Sequence, residues 1–317
     1  MAAVESGPAA RAERPLFGAA MIVSGMVVVG FIDNFVRVAA AEIGLWQFQL
    51  LRVGFAVPAL FLAARLLGAR PLPRRWGGAL LRTGFAVASM TLYFGALPAA
   101  PIAVVAAGLF TSPLWALLFT ALLYREPLGP RRLFAAALGF AGVLTMLRPW
   151  ESGLDLRAAM PIAAGALWAV TLMATRRLAG EETPAALTLL QLLGFAATGI
   201  VGLLALAAFP AAAELRESAP FFFTGWLWPL SAEVWGVLIL QGFGSVAGLL
   251  LIILGYQSAD ATRTALFDYS FLVFAGFFGW VIWGEALGGA ALAGMALIVA
   301  AGAFLALSPA ARAKQGG

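Results

Sequence analysis

Long apolar runs alternate along this chain with short breaks that contain Arg, Pro or Gly. An α-helix needs about 20 predominantly apolar residues to cross the hydrocarbon core of a bilayer. The runs have this length, so their spacing predicts ten membrane-spanning helices. We place these spans near residues 17–40, 45–67, 76–97, 101–124, 130–148, 158–178, 184–209, 232–257, 261–283 and 288–308. The predicted fold class is therefore all-α, a polytopic membrane protein.

Most connections between the spans are too short to hold a soluble domain. The longest, near 210–231, is rich in proline and aromatic residues, which favour the membrane–water interface. Its aromatic residues include Phe221, Phe222, Phe223, Trp226 and Trp228. We expect this segment to lie at the surface of the membrane.

The composition supports a membrane protein and excludes several chemistries. Hydrophobic residues make up 62% of the chain, charged residues 11%, and the mean hydropathy is +0.95. A soluble protein needs far more polar surface than this. Cys and His are absent, which removes disulfides, thiolate and imidazole metal ligands, and catalysis by either residue. We predict no catalytic residues, no metal and no cofactor, and therefore no enzyme.

Basic residues mark one side of the membrane. Ten spans put both termini on the same side, and a cytoplasmic N-terminus puts thirteen basic residues on that side and three on the other. The thirteen are Arg11, Arg14, Arg65, Arg70, Arg74, Arg75, Arg125, Arg131, Arg132, Arg176, Arg177, Arg312 and Lys314. The net charge of +5 therefore reflects topology and not nucleic-acid binding. The tails 1–15 and 309–317 are both expected to be cytoplasmic.

The N-terminal segment has a second interpretation. Its basic residues followed by an apolar run resemble a secretory signal peptide. However, Asp33, Asn34 and Arg37 would interrupt the end of an overlong hydrophobic region. We therefore expect a retained first helix.

The two halves of the chain align with each other. Residues 33–42 lie opposite 173–182 at a shift of 140, and Glu126-x-Leu128-Gly129 lies opposite Glu285-x-Leu287-Gly288 at a shift of 159. Each half, 16–148 and 158–308, holds five spans, an odd number, so the second must cross the membrane inverted. Inverted repeats around a site near the membrane midplane are typical of secondary transporters. Chance matching of apolar helices is the weaker interpretation, because charged and Trp positions also match.

Charged residues inside the spans are candidates for the site. A charge at membrane depth is costly unless it is paired or faces a polar cavity. A rise of about 1.5 Å per residue puts Asp33 and Arg52 at similar depth, and Arg37 follows Asp33 at i,i+4. The same arithmetic brings Arg82 to the depth of Asp268. We predict two buried acid–base groups, Asp33/Arg37/Arg52 and Asp268/Arg82.

Each group has a structural and a functional interpretation. Ion pairs can fix helix register, or a carboxylate can release its partner and take a substrate amine or a proton. We favour the structural role for Asp268 with Arg82. For Asp33 we favour function, because the neighbouring Asn34 adds polarity that packing does not require.

Further residues within spans complete the predicted binding site. Aromatic residues in membrane helices mostly pack against neighbours, and glutamines also join helices by hydrogen bonds. Glu126 and Glu285 each lie just before a predicted span, where a carboxylate stabilises the N-terminus of a helix. Gly244-x-x-x-Gly248 is typical of close packing, and we expect it to contact an internal helix. The predicted substrate-binding set is Asp33, Asn34, Arg37, Arg52, Tyr93, Trp168, Gln191, Gln241, Asp268 and Tyr269.

Two segments resemble a known family. Residues 111–115, followed by 124–128, resemble the end of the fourth helix of the ten-helix EamA branch of the drug/metabolite transporter superfamily. Residues 266–272, followed by 283–285, resemble its ninth helix, although Phe31-Ile32-Asp33 stands where many members have a Trp-Gly pair. The resemblance implies ten helices around a central cavity, and commonly the export of amino acids, metabolites or drugs.

The expected function is therefore secondary transport. We predict a bacterial inner-membrane protein, a monomer or homodimer, that exports a small organic solute such as an amino acid by alternating access. Proton coupling through an intramembrane carboxylate is part of this hypothesis. No GxxxxGK[ST] motif is present, so ATP-driven transport by this chain alone is not expected. The alternative is a passive channel or lipid scramblase.

Overall fold

A computed structural model describes residues 15–99, 102–124, 130–148, 156–258, 267 and 270–306 of the chain. The described residues form helices and loops and contain no strand. The helices are α1 (Pro15–Asp33), α2 (Val36–Ala40), α3 (Leu45–Leu66), α4 (Trp76–Ala96), α5 (Ile102–Leu109), α6 (Ser112–Tyr124), α7 (Pro130–Leu147), α8 (Leu156–Leu178), α9 (Pro184–Ala208), α10 (Ala213–Ser218), α11 (Pro220–Phe223), α12 (Ala232–Ser258), α13 (Ser270–Trp283) and α14 (Gly289–Ala306). A 3₁₀ turn, Leu97–Ala99, follows α4. The all-α prediction is confirmed.

Four apolar segments within the described residues are long enough to cross a membrane: 16–40, 45–66, 184–208 and 232–255. Shorter apolar helices accompany them, including α13 with 14 residues and α14 with 18. The count of ten spans stays a prediction, because four of the described segments are long enough by themselves to cross a membrane. The tails 1–15 and 309–317 also stay predictions, because residues 1–14 and 307–317 lie outside the described part of the chain.

The first predicted span is broken at Asn34. In a continuous helix the Asn34 N–H would bond to the Gly30 carbonyl, but the Asn34 side chain takes that acceptor at 2.7 Å. The Asn34 N–H turns instead to the Phe31 carbonyl at 3.3 Å, one residue closer. Side-chain competition of this kind explains why Asn is disfavoured inside helices. The chain therefore turns between α1 and α2.

The fourth predicted span is broken at Thr111. Pro113 has no backbone N–H to continue the helix, and the Thr111 N–H bonds to Gly108 three residues earlier. The Thr111 hydroxyl donates to the same carbonyl at 2.7 Å. The Thr111 carbonyl then accepts from Trp115, which starts α6 in the new direction.

The helices pack in a pattern that connects the two halves of the chain. Helix α1 lies against α12, α4 against α8, α3 against α9, and α7 against α14. Gly244 and Gly248 of α12 permit the first of these contacts. A Cβ on Gly244 would lie 2.7 Å from Ile32, and one on Gly248 would lie 2.5 Å from Val29. The prediction that this motif seats an internal helix is confirmed.

The lateral surface of the bundle is apolar. Val201 and Leu204 of α9 are 66% and 64% exposed, and Phe243 and Trp280 on other helices are more than half exposed. Exposed apolar side chains on this scale require an apolar solvent, which a lipid bilayer supplies.

The bundle has two ends, which we name by their loops. The 67–75 end holds the loops 67–75 and 179–183, and the 209–231 end holds the loop 41–44 and the segment 209–231. Helices α3 and α9 run between these ends, so the ends lie on opposite sides of the bundle.

Candidate functional site

A cavity of about 980 Å³ runs into the bundle from the 67–75 end. Exposed Arg74 and Glu181 line its mouth, and buried Asp33, Tyr93 and Arg52 line its deep end. Its volume lies near the upper limit of pockets that hold drug-sized ligands. Such a cavity can enclose a small organic molecule almost completely.

Asp33 and Tyr93 meet at the deep end of this cavity. The Tyr93 hydroxyl donates a hydrogen bond of 3.0 Å to Oδ2 of Asp33. Both residues are buried, with exposed fractions of 2–3%. Asp33 is the last residue of α1, so the helix break at Asn34 directly follows the residue that faces the cavity. Tyr93 comes from α4, and the bond therefore connects two helices.

Arg52 lies in a cage of three aromatic rings. Its guanidinium carbon is 4.3 Å from the ring centre of Phe94, 4.6 Å from that of Phe195 and 5.1 Å from that of Phe48. Cation–π attraction stabilises a guanidinium in such a position. Arg52 and Asp33 interact electrostatically but form no ion pair. Both side chains line the same cavity, and their predicted depth in the membrane stays a prediction.

Arg82 and Gln191 are joined in the middle of the cavity wall. Arg82 Nη1 donates to Oε1 of Gln191 at 2.7 Å, and its Nε donates to the Thr175 hydroxyl at 3.1 Å. All three line the cavity. Gln191 therefore acts as the interhelical hydrogen-bond partner that the sequence suggested as its alternative role.

Aromatic side chains form the apolar walls. Trp168 lines the cavity as predicted, together with Phe110 and Phe271, whose ring centres are 5.6 Å apart. Flat aromatic surfaces of this kind bind flat ligands by stacking. The cavity thus combines aromatic walls with a few charged and hydrogen-bonding groups.

The mouth is held together by Glu182. Its carboxylate accepts from the backbone N–H groups of Arg74 and Arg75 at 2.8 and 2.7 Å. The Thr183 hydroxyl donates to the Arg70 carbonyl at 2.5 Å. These bonds tie the loop 179–183 to the loop 67–75 beside the opening.

The opposite end is closed by the segment 209–231. Gln47 forms two hydrogen bonds with the backbone of Leu227, at 2.8 and 3.0 Å, and Trp46 donates to the Phe222 carbonyl at 2.8 Å. Phe221 is buried and its ring lies 6.3 Å from that of Phe48, which belongs to the Arg52 cage. We call these contacts the 209–231 seal. The expected surface segment is therefore partly buried.

The predicted group Asp33/Arg37/Arg52 is wrong in one member. Arg37 forms an ion pair with Glu285, and its guanidinium lies 5.3 Å from the ring centre of Trp283. The helix break at Asn34 removes the i,i+4 geometry on which the grouping depended. The capping role predicted for Glu285 is also wrong, since its carboxylate binds Arg37 and α14 starts only at Gly289.

Two other predicted residues lie beside the cavity and do not line it. Asn34 is buried and donates to the carbonyls of Gly30 and Ala275. Gln241 donates to the Ile32 carbonyl at 2.8 Å, which joins α12 to the break in the first span. Asp268, Tyr269 and Glu126 lie outside the described residues, so the group Asp268/Arg82 stays a prediction.

The aromatic rings that surround Arg52 were not predicted from the sequence. Phe48, Phe94 and Phe195 lie in three different helices and gave no local signal. Glu182 offered a weak one, because the repeat aligns it with Glu42. Glu42 accepts from the Ser231 backbone N–H at 2.7 Å, at the other end of the bundle.

Comparison with known proteins agrees with this architecture. A solved crystal structure superposes with a TM-score of 0.64 over 92% of this chain and 98% of the other, at 19% sequence identity, which shows a shared fold. Three curated relatives are riboflavin transporters. The protein from Rhizobium johnstonii is 32% identical over 67% of this chain and 64% of its own length. The Vibrio cholerae protein is 28% identical over 92% and 93%, and the Brucella anthropi protein 30% over 66% and 69%.

The relatives are named as transporters and not as enzymes, which agrees with the prediction of a non-enzyme. They also imply a small-molecule substrate and embedding in a membrane. Residues 16–148 match the EamA-like transporter family. This chain is a multi-pass membrane protein that belongs to the EamA-like transporter family.

Proposed function

We propose that this protein is a secondary transporter that carries riboflavin, or a flat heterocyclic metabolite of similar size, across the bacterial inner membrane. The observation that carries the proposal is the cavity of about 980 Å³, open at the 67–75 end and closed at the 209–231 end. Its aromatic walls suit a flat ring system, and its polar deep end suits hydrogen-bonding groups on that ring. The names of the relatives favour a flavin over the amino acid expected from the sequence.

Alternating access requires two arrangements in which opposite ends are open. The packing of α1 with α12 and of α4 with α8 supports two inverted five-helix repeats, since a two-fold axis would exchange these pairs. Glu42 and Glu182 add to this support. They align at the repeat shift, and each binds backbone N–H groups at its own end of the bundle. Related contacts at opposite ends are what inverted repeats produce.

The positive-inside bias assigns the 67–75 end to the cytoplasm. In this orientation the described conformation is inward-open, and the 209–231 seal closes the outer side. Transport then requires the contacts between Gln47 and Leu227 and between Trp46 and Phe222 to break. The Arg37–Glu285 ion pair connects α2 to the loop before α14 and must adjust to the same movement.

Asp33 is the candidate for coupling transport to protons. It is a buried carboxyl group that faces the cavity and forms no ion pair among the described residues. A group in this position can alternate between binding a proton and binding a substrate N–H. Net export stays the expected direction, on the resemblance to the family alone.

Uptake of riboflavin into proteoliposomes tests the proposal. We expect saturable uptake that excess unlabelled riboflavin suppresses, and that empty liposomes lack. Uptake that rises linearly with concentration would favour a passive channel. Transbilayer movement of fluorescent phospholipid, without flavin uptake, would favour a scramblase. An imposed pH gradient that leaves the rate unchanged would remove proton coupling from the proposal.

A further inference from the structure

The deep end of the cavity offers hydrogen-bond donors that no described residue uses. Arg52 is 2% exposed, and its Nε and Nη2 atoms have no hydrogen-bond acceptor among the described residues. The three rings stabilise the charge of the guanidinium by cation–π attraction. The face of an aromatic ring is, however, a poor acceptor for its N–H groups. Buried donors on a charged group are costly when they remain unpaired. A substrate that supplies an acceptor here would remove that cost.

The same end offers acceptors on Asp33. Tyr93 donates one hydrogen bond to Oδ2, and an ionised carboxylate can accept about four. Asp33 and Arg52 both line the cavity. They attract each other electrostatically but do not form an ion pair. A donor group and an acceptor group therefore border the same space at the end of the cavity.

Two kinds of ligand edge match this arrangement. An amino acid could place its ammonium group on Asp33 and its carboxylate on Arg52. It would leave most of the aromatic wall and most of a 980 Å³ cavity unfilled. Both of its charges would also lose their water on entering a buried site, which is costly. A neutral ring that carries an N–H beside a carbonyl satisfies both side chains and still covers the walls.

We infer that Asp33 and Arg52 recognise an imide or lactam edge of a neutral, planar heterocycle, with Asp33 accepting from the ring N–H and Arg52 donating to the adjacent carbonyl. This inference rests on the proposed function and adds the orientation of the substrate. The imide edge of a flavin points toward the closed 209–231 end, and the ring stacks between the aromatic walls. The dimethylbenzene ring of riboflavin then lies toward the mouth. The polyhydroxylated chain leaves the central ring sideways, toward the cavity wall that Arg82 and Gln191 line.

The test compares riboflavin with N3-methylriboflavin, which differs only by replacement of the imide N–H. Binding to purified protein is followed through quenching of flavin fluorescence. We expect the methylated compound to bind at least about tenfold more weakly, because the Asp33 acceptor loses its donor. Equal affinity of the two compounds would overturn the inference and leave the proposed flavin transport intact.

Two variants assign the interaction to residues. In Asp33→Ala the acceptor is gone, so the ratio between the two compounds should fall close to one. In Arg52→Gln both compounds should bind more weakly while their ratio persists, and Arg65→Gln, an exposed arginine of the same helix, is the matched control. A ratio in Asp33→Ala that equals the wild-type ratio would contradict the assignment. The wild-type comparison decides the inference even where a variant fails to fold.

If the protein binds no riboflavin, the proposed substrate is wrong, but the inference about Asp33 and Arg52 can still be tested. Pairs of heterocycles with and without the N–H, such as uridine and 3-methyluridine or lumichrome and its N3-methyl derivative, then decide by thermal stabilisation. Stabilisation by the N–H member alone would support the inference. Stabilisation by amino acids alone, or by none of these compounds, would overturn it.

Discussion

The Tyr93 hydroxyl donates a hydrogen bond of 3.0 Å to Oδ2 of Asp33 and so connects α4 to α1. Asp33 therefore accepts a hydrogen bond from a neutral group, and no ion pair joins it to Arg52. The hydrogen bond fixes the position of the carboxyl group, and no ion pair with a basic side chain of the described residues compensates its charge. This arrangement leaves Asp33 available to a ligand in the cavity.

Asp33→Asn should abolish transport and leave the yield of folded protein unchanged. The amide keeps the shape of the side chain and an oxygen that can accept from Tyr93, but it removes the negative charge. We expect the initial uptake rate to fall to the level of empty liposomes. Glu214→Gln, a neutralisation on the exposed helix α10, serves as the control and should keep the wild-type rate. A fully active Asp33→Asn protein would contradict a functional role for this carboxyl group.

Tyr93→Phe should lower the stability of the protein. The variant removes one buried hydrogen bond to a carboxylate, which is worth about 1.5–3 kcal/mol. The expected readout is a lower unfolding temperature in detergent, measured by tryptophan fluorescence. The fall should largely disappear in an Asp33→Ala background, since the hydroxyl has lost its acceptor there. An undiminished effect in that background would mean that Tyr93 stabilises the protein through other contacts.

Cross-linking Gln47→Cys to Leu227→Cys should stop transport. Both residues belong to the 209–231 seal, and the natural chain has no cysteine to react elsewhere. A short bis-maleimide would hold the seal closed, so riboflavin should still bind from the open 67–75 end while uptake ceases. Each single-cysteine variant, treated with the same reagent, controls for modification alone. Wild-type uptake by the cross-linked protein would show that the seal does not open during transport.

Gly142→Ala should destabilise the contact between α7 and α14. A Cβ at residue 142 would lie 2.7 Å from the Gly294 carbonyl oxygen, which is backbone and cannot move aside cheaply. We expect a loss of about 1–3 kcal/mol, seen as a lower unfolding temperature. Gly236→Ala in α12 is the control, because a Cβ there meets nothing within 4 Å and alanine favours a helix. Equal stability of the two variants would contradict the close approach of α7 and α14.

The positions of the helices follow largely from local pattern. The spans predicted near 76–97 and 130–148 correspond to α4 at Trp76–Ala96 and α7 at Pro130–Leu147. Long apolar runs between charged residues must form helices in a bilayer, because each backbone N–H and C=O group needs a hydrogen-bond partner within the helix. The break at Asn34 was not predicted, since the apolar composition continues across it and only the side-chain bond to Gly30 explains it.

The site was predictable in its charged members and not in their partners. The cost of burying charge identifies Asp33 and Arg52 from the sequence alone. Their surroundings depend on contacts between distant residues, such as Phe195 of α9 against Arg52 of α3. The partner of Arg37 was also not predictable, because Glu285 lies 248 positions away along the chain.

Counterflow of riboflavin is the most direct test of a carrier with alternating access. Proteoliposomes loaded with unlabelled riboflavin are diluted into a trace of labelled riboflavin. A carrier that alternates between its two ends should accumulate label transiently above the level reached by unloaded vesicles, and Asp33→Asn should lose this overshoot. Label that only equilibrates, at the same rate in loaded and unloaded vesicles, would contradict the proposal and indicate a passive pore.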